Sequence, residues 1–262
     1  MNGCTQLVEQ EIKRWAAVMR SRVVTVGTAE RCCVARSAKP DCLFFDAYRT
    51  EAVRFLGMGE EVVVAGPPGP HPAAAGLRSV ADPADAARLA VSDPRHLAVV
   101  FPPGRPVEDG LAIAAVLRAR FPALVPQHPR TLCQAASARR SLVARLAAAN
   151  DVVLVAGLLD QQDEQSLAGT GTPVHTVGAV EEIRAEWLSG ATAVGVLDGA
   201  GAPAGLTDRI VTALGGLGPT AVYEHSVAIR ARAEPGEAHL VALSAVPPPG
   251  VRARVPEECC PC

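Results

Sequence analysis

The stretch Asp151-Val152-Val153-Leu154-Val155-Ala156-Gly157 decides the fold of this chain. Its five consecutive apolar residues, bounded by Asp and Gly, have the length and composition of a strand buried on both faces. A predicted amphipathic helix, 137–149, leads into this strand, and a predicted helix, 46–57, leads in the same way into Glu61-Val62-Val63-Val64-Ala65-Gly66. Buried strands that alternate with helices predict an α/β fold with parallel sheets and right-handed crossovers.

The order of predicted elements divides the chain into four segments. Residues 1–41 form an N-terminal remnant of one helix and one strand, and residues 42–128 form a first complete α/β unit. Residues 129–218 repeat the same order of elements as a second α/β unit. Residues 219–262 alternate like a β-hairpin and then end in a cysteine-rich tail. We therefore expect two repeated parallel-sheet units with a hairpin at the C-terminal end.

Composition and charge exclude several classes of function. Of the 262 residues 49% are hydrophobic but only 3% are aromatic, which favours helix-on-sheet layers built from Ala, Val and Leu. The formal net charge is −2 and no long basic stripe is present, so a nucleic-acid partner is not expected. No apolar run reaches membrane-span length and the first residues lack the pattern of a secretory signal. We expect a cytoplasmic protein whose eight cysteines are thiols or metal ligands.

Two cysteines occupy equivalent places in the two predicted units. Cys42 and Cys133 each lie on a polar turn just before a helix that leads into a buried strand. In parallel α/β proteins this position faces the carboxyl edge of the sheet, where binding and catalysis are concentrated. Two interpretations stay open at this point: each residue is a functional ligand, or each is an ordinary buried thiol.

Several stretches resemble one known enzyme family. The segments DVVLVAGLLDQQDEQSL, from residue 151, and EEIRAEWLSGATAVGVLDGAGAP, from residue 181, are similar to the last domain of the LytB/IspH family. These 4-hydroxy-3-methylbut-2-enyl diphosphate reductases are iron-sulfur enzymes that complete the non-mevalonate isoprenoid route. The segments 116–122 and 41–55 resemble earlier parts of the same family. The resemblance covers about residues 22 to 218 and implies the family's α/β fold.

The resemblance implies an iron-sulfur cofactor. Family members have three similar α/β domains, and each domain gives one cysteine to a four-iron, four-sulfur cluster whose fourth iron is open to the substrate hydroxyl. By position, Cys42 and Cys133 match the second and third of these ligands, and Cys33 is the best match for the first. The alternatives for that remaining ligand are Cys4 and the tail thiols Cys259, Cys260 and Cys262.

The sequence also departs from the family pattern. Only nine positions (42 − 33) separate Cys33 from Cys42, so nearly the whole first domain of the family is absent. His71 retains one histidine of the family's Gly-His-x-Gly-His-Pro-Glu loop and is the candidate acid-base residue, the alternative being a solvated loop residue. Ala73 stands where the proton-relaying glutamate would be. The Thr-Gln-Thr-Thr loop becomes Phe-Pro-Pro-Gly at 101–104 and loses every hydroxyl.

Two further loops correspond to the family's substrate-binding segments. The diphosphate-binding Asn-Ser-Ser-Asn-Ser becomes Asp-Gln-Gln-Asp-Glu at 160–164, and Gly-Ala-Ser-Ala-Pro becomes Gly-Ala-Gly-Ala-Pro at 199–203. The resemblance therefore places substrate-binding residues at Gln161, Gln162 and Gly201.

The charge of the first of these loops argues against a diphosphate. Asp160, Asp163 and Glu164 bring three carboxylates to this position. At short range like charges repel by about 1 kcal/mol per pair even in a high-dielectric site. We therefore expect a small-molecule ligand other than the family's diphosphate.

Two functional hypotheses follow from these observations. The first is a divergent iron-sulfur protein of the LytB/IspH type with a reductive or binding role on a small molecule. The second is a non-catalytic scaffold, or one subunit of a complex. Because most of one family domain is absent, apolar edges would face water, which predicts a homodimer or a heteromeric partner.

Overall fold

The computed structural model describes Trp15 and residues 22–29, 42–67, 77–218 and 220–227, which form two parallel β-sheets with helices packed on them. The α/β class expected from the sequence is confirmed. These residues form two compact units. The four-stranded unit contains residues 42–67 and 77–139, and the five-stranded unit contains residues 22–29 together with residues from 140 to 227.

The elements follow one another as alternating strands and helices. The strands are β1 Arg22–Ala29, β2 Glu61–Ala65, β3 Leu77–Val80, β4 Leu97–Val100, β5 Val125–Pro126, β6 Val152–Ala156, β7 Val174–Val177, β8 Ala193–Asp198 and β9 Thr220–Val227. The α-helices are α1 Leu43–Gly57, α2 Pro83–Arg88, α3 Val107–Arg120, α4 Ala135–Ala148, α5 Gln161–Leu167, α6 Ala185–Leu188 and α7 Leu206–Gly215. Short 3-10 turns at Pro129–Thr131 and Val180–Glu182 complete the order.

All strand pairings within the two sheets are parallel. The four-stranded sheet has the order β3-β2-β4-β5, and the five-stranded sheet has the order β7-β6-β8-β1-β9. In the second sheet Val24, Val194 and Val152 lie side by side on β1, β8 and β6. Because parallel strands share one direction, all carboxyl ends of a sheet meet at one edge.

Helices cover both faces of the four-stranded sheet. On one face α1 packs Tyr48, Ala52 and Phe55 against β2 and β4. On the other face α3 buries Ile113 and Leu117. The strands β2 and β4 are accordingly buried almost throughout, as the continuous apolar runs predict.

The five-stranded sheet is covered in the same way. One face packs against α6 and α7, and the other face of β6 and β8 packs against α4. Apolar side chains supply the two layers: Val24, Val152, Leu154, Leu188, Ile210 and Leu214 on the first face, and Val143, Leu146, Val153, Val155 and Leu197 on the second.

Some elements differ from the sequence-based prediction. The strands β3 and β5 were not expected, because four and two residues are too few to show a period. The sequence pattern predicts one helix over 181–188 and another over 82–91. The first is a 3-10 turn followed by the single-turn α6, and the second ends at Arg88. Strand β9 pairs in parallel with β1, while the rest of the predicted hairpin and the tail lie outside the described residues.

A search of the described helices finds none that is both long enough and apolar enough to cross a membrane.

Candidate functional site

The candidate site begins at the carboxyl edge of the four-stranded sheet. Helix α1 leads into β2 and packs on it, so the N-terminus of α1 lies at the edge where β2 ends. Helix α3 follows β4, so its N-terminus lies at the same edge. This edge therefore presents the positive ends of two helices of 15 and 14 residues.

Cys42 is the N-cap residue of α1. Its carbonyl oxygen accepts hydrogen bonds from the backbone N–H groups of Phe45 and Asp46, at 2.9 and 3.0 Å. Its side chain makes no capping hydrogen bond, and the residue is only 4% exposed. Cys42 therefore lies, as a buried thiol, at the sheet edge where α1 begins.

Cys133 lies at the carboxyl edge of the same sheet. It is 6% exposed and follows the 3-10 turn Pro129–Thr131, just before α4 begins. It lines a small cleft with residues that end β2, follow β4 and begin α3: Ala65, Phe101, Pro102, Arg105, Pro106, Val107 and Gly110. Cys133 therefore lies at the edge of a sheet, as the sequence predicted, and that sheet is the four-stranded one.

A buried amide holds the chain just before Cys133. The Gln127 side chain is 1% exposed, and its Oε1 accepts a hydrogen bond from the Phe101 N–H at 2.8 Å. Its Nε2 donates to the Thr131 carbonyl at 3.2 Å and to the Thr131 hydroxyl at 3.0 Å. Gln127 therefore ties the turn before Cys133 to the end of β4.

A second polar contact joins the starts of α3 and α4. The Val107 N–H donates to the hydroxyl of Ser137 at 2.8 Å, and that hydroxyl donates to Oε2 of Glu108 at 2.5 Å. Ser137 lies in the first turn of α4, one turn after Cys133. The segment that carries Cys133 is thus held by hydrogen bonds on both of its sides.

The two thiols share one compact unit. Cys42 and Cys133 both belong to the four-stranded unit, and α1 lies against the turn Pro129–Thr131. Both are thiols outside any disulfide. Among the described residues no group of three His, Cys, Asp or Glu side chains is arranged to hold a metal. Two ligands of the expected set therefore lie at this edge, and Cys33 and His71 fall outside the described residues.

The expected substrate-binding residues lie in the five-stranded unit. Gln161 and Gln162 begin α5, just after β6, and Gly201 follows β8. The two loops are joined because Leu158 and Ala200 exchange backbone hydrogen bonds of 2.8 and 2.7 Å. The structure therefore brings Gln161, Gln162 and Gly201 to neighbouring loops at one carboxyl edge.

Gly157 permits this close approach of the two loops. Its φ is +90°, and a Cβ built on it would lie 2.6 Å from the Ala200 carbonyl oxygen. Any side chain at residue 157 would therefore both strain the backbone and separate the loops.

The carboxylates of this edge have structural contacts. The Asp160 Oδ1 accepts a hydrogen bond from the Asp163 N–H at 2.8 Å and caps α5, while Asp163 is 1% exposed. Glu164 remains exposed. The sequence-based picture of three carboxylates facing a ligand is therefore wrong for Asp163, because its side chain packs into the unit.

Sequence reasoning missed Arg105, which lines the Cys133 cleft, and Gln127, which holds the turn before Cys133. Gln127 carries no motif, and only its burial after the two-residue strand β5 shows its function. Arg105 directly follows the loop 101–104, and a single cation in a proline-rich loop gives no sequence signal.

Comparison with known proteins identifies relatives over most of the described chain. Residues 22–215 match the family model described as LytB protein. Curated 4-hydroxy-3-methylbut-2-enyl diphosphate reductases from Chromohalobacter salexigens and Ralstonia nicotianae are 31% identical over 199 residues and 32% identical over 193 residues. These alignments cover 70% and 69% of this chain but 62% and 59% of the relatives. The chain therefore spans about three fifths of the length of the curated relatives it matches.

A solved structure supports the fold. The reductase structure from Plasmodium falciparum, titled E-1-hydroxy-2-methyl-but-2-enyl-4-diphosphate reductase, matches with a TM-score of 0.57 at 13% identity. The match covers 82% of this chain and 74% of that chain.

Proposed function

Since this chain belongs to the LytB protein family, we propose that it is an iron-sulfur protein that holds its cluster through Cys42 and Cys133. The observation that carries the proposal is the placement of both buried thiols in one unit, on segments that lie at one sheet edge. Cysteine sulfurs are the ligands of iron-sulfur clusters. The residue type and the burial of both cysteines fit such a group.

The proposed third ligand is Cys33, with Cys4 and the tail cysteines as alternatives. When bound, a cluster of this kind supplies electrons and an open iron site that acts as a Lewis acid. The chain's own contribution is to hold the two thiolates, which Gln127 and Ser137 do by fixing the backbone on either side of Cys133. Cys133 is 6% exposed, so little water reaches that thiol.

We propose that the activity is reductive or binding chemistry on a small molecule. Gln161, Gln162 and Gly201 would contact this molecule, since their loops adjoin at a carboxyl edge. His71 is the proposed proton donor on the strength of the family resemblance alone. The loop 101–104 offers the molecule no hydroxyl, so the substrate is proposed to differ from the diphosphates named for the relatives.

A non-catalytic scaffold is the alternative candidate. The observation that favours it is that Asp160 is occupied in capping α5, in the loop where the family binds its diphosphate. Under either candidate we propose a cytoplasmic protein that forms a homodimer or binds a partner. Light scattering at high protein concentration tests the assembly, and a strict monomer would contradict it.

The test of the proposed cluster is iron and sulfide content after anaerobic purification. The wild-type protein should be brown, with visible absorbance from thiolate-to-iron charge transfer and with bound iron and acid-labile sulfide. Cys42→Ser and Cys133→Ser should each lose most of both, because a cluster rarely survives loss of a ligand. A Cys32→Ser variant, at the one cysteine not proposed as a ligand, serves as the matched control.

A colourless, iron-free wild-type protein would refute the cluster and favour the scaffold. Iron retained in the Cys42→Ser, Cys133→Ser double variant would show that other thiols hold it.

A further inference from the structure

A surface cavity of about 460 Å³ lies at the amino edge of the four-stranded sheet, opposite to the edge that holds Cys42 and Cys133. The residues that line it end α1, begin β2 and β3, or lie in the turn before β4, and all of them belong to one unit. The volume is in the range of small-molecule sites, about 300–1,000 Å³. The cavity is therefore separate from the proposed cluster and large enough for a ligand of its own.

Two of the carboxylates that line this cavity have partners within the protein. Glu61 accepts hydrogen bonds from the guanidinium of Arg78 at 2.7 Å and from the Ser92 N–H at 2.9 Å. Asp93 accepts hydrogen bonds from the N–H and from the guanidinium of Arg95, at 2.9 Å each. The charges of Glu61 and Asp93 are therefore balanced without a ligand.

Glu60 also lines the cavity, and its carboxylate lacks a hydrogen-bond donor. Its side chain is only 12% exposed. In the part of the chain that the structure describes, its Oε2 is buried without a partner, and its Oε1 lies 3.6 Å from Nδ1 of His96, beyond hydrogen-bond length. A largely buried carboxylate is favourable in its charged form only when a cation or several donors face it. The charge of Glu60 is therefore available to a ligand.

The neighbouring basic side chains do not supply a permanent counterion for Glu60. His96 is charged only when its ring is protonated, and an imidazole is mostly neutral above about pH 7. Arg78 is engaged by Glu61 and by the Ala90 carbonyl oxygen. An external cation would therefore stabilise the Glu60 carboxylate.

The end of α1 favours the same sign of ligand. This helix of 15 residues ends at Gly57, and Leu56 and Gly59 from that end line the cavity. The C-terminus of a helix carries a partial negative charge and attracts cations. Leu56 also offers an apolar surface to the carbon chain of a ligand. The cavity thus combines a carboxylate, a negative helix terminus and an apolar contact.

We infer that this cavity binds a small organic cation, whose ammonium or guanidinium group pairs with Glu60 and whose carbon chain lies against Leu56. Ammonium and guanidinium groups both bring the positive charge and the N–H donors that the carboxylate lacks. The inference does not depend on the proposed cluster, because the residues of this cavity lie at the other edge of the sheet.

The test is a titration of the full chain with butylammonium, butylguanidinium and butylurea, followed by NMR at pH 8. Butylurea has the shape of butylguanidinium but no charge, so the comparison isolates the charge of the ligand. The ring signal of His96 reports binding at this cavity, since His96 is one of its lining residues. The chain has six histidines, and the signal that disappears in His96→Gln belongs to His96.

Both cations should shift the His96 signal to saturation, and butylurea should leave it in place over the same range of concentration. Glu60→Gln should weaken the binding of both cations about tenfold, the effect expected for the loss of one close charge contact. Asp46→Asn is the matched control. It removes an equal charge from the first turn of the same helix, far from the cavity, and should bind both cations as the wild type does.

A His96 signal that neither cation shifts would overturn the inference, and so would butylurea that binds as well as the cations do. Equal binding by Glu60→Gln and the wild type would overturn it too. The comparison of charged and neutral probes uses the wild type, so it decides the matter even if Glu60→Gln fails to fold. Iron content is measured separately, and an iron-free protein that binds both cations would refute only the cluster.

Discussion

At the scale of single residues, Gln127 determines how Cys133 is presented. Its buried amide makes one hydrogen bond with the end of β4 and two with Thr131, so the turn before the thiol cannot move without breaking them. A buried polar side chain is stable only while its partners are in place. Gln127 is therefore a positioning residue, since it acts through the backbone and not on a ligand.

Gln127→Leu tests this assignment. The change keeps the side-chain volume but leaves the Phe101 N–H and the Thr131 carbonyl without their buried partners. We expect the free energy of unfolding to fall by about 2–4 kcal/mol, since each buried unsatisfied group costs about 1–3 kcal/mol. Denaturant unfolding measures the loss, and the alkylation rate of Cys133 should rise in the native protein.

Thr131→Val is the matched control for Gln127→Leu. It removes the hydroxyl that accepts from Gln127 at 3.0 Å and donates to the His128 carbonyl at 2.6 Å, and it should cost about 1 kcal/mol. Unchanged stability of Gln127→Leu, with Cys133 no more reactive than before, would show that the amide does not hold the turn.

The sequence predicts the cysteines of the site better than it predicts their surroundings. Cys42 and Cys133 stand out because each precedes a helix that leads into an apolar strand. Gln127 and Arg105 do not stand out, since their contacts join segments far apart in the chain, such as Gln127 with Phe101. A local sequence pattern does not show which distant segments are in contact, and only the folded structure reveals this.

At the scale of elements, the apolar strands were predictable and the short ones were not. Strands β2 and β6 are continuous apolar runs and are found where they were expected. Strand β3, with burial only at its last residue, has too few residues and too little apolar character to be recognised. The predicted helix at 181–188 breaks up because Ile183 and Arg184 are extended between two short turns.

Asp151 joins two elements of the five-stranded sheet just before β6. One carboxylate oxygen accepts hydrogen bonds from the N–H groups of Ala193 and Thr192, at 2.9 and 2.8 Å, and from the Thr192 hydroxyl at 3.1 Å. These hydrogen bonds hold the pKa of Asp151 below its usual value. The carboxylate therefore stabilises the start of β8 in its charged form.

This contact predicts a pH dependence of stability. Because the pKa of Asp151 is lower in the folded than in the unfolded protein, its contribution is present above about pH 4 and is lost as the pH falls through the folded-state pKa. Asp151→Asn should lower the free energy of unfolding at pH 7 by about 1 kcal/mol or less, the size expected for an exposed group, and with it the unfolding midpoint temperature. The difference from the wild type should shrink toward pH 3.

Thermal unfolding across this pH range checks the prediction. Glu181→Gln removes an exposed carboxylate from the same unit and is the matched control. A difference between Asp151→Asn and the wild type that stays constant from pH 7 to pH 3 would contradict the assignment.

At the scale of the whole chain, the family is established and the biochemical activity is a proposal. The family model matches residues 22–215. The fold was predictable because the apolar runs mark where strands alternate with helices. The sequence pattern suggested one thiol in each repeat. The structure instead places residues up to 139 with the four-stranded sheet, because Gln127 and Ser137 bind the Cys133 segment to it.

The measurement that most directly tests the central claim is a thiol footprint of the anaerobically reconstituted protein. All eight cysteines are alkylated with and without the cluster, and mass spectrometry reads each one separately. The account predicts that loading iron and sulfide protects Cys42 and Cys133 together with one further cysteine. Protection confined to the tail cysteines, with Cys42 and Cys133 equally reactive in both states, would contradict it.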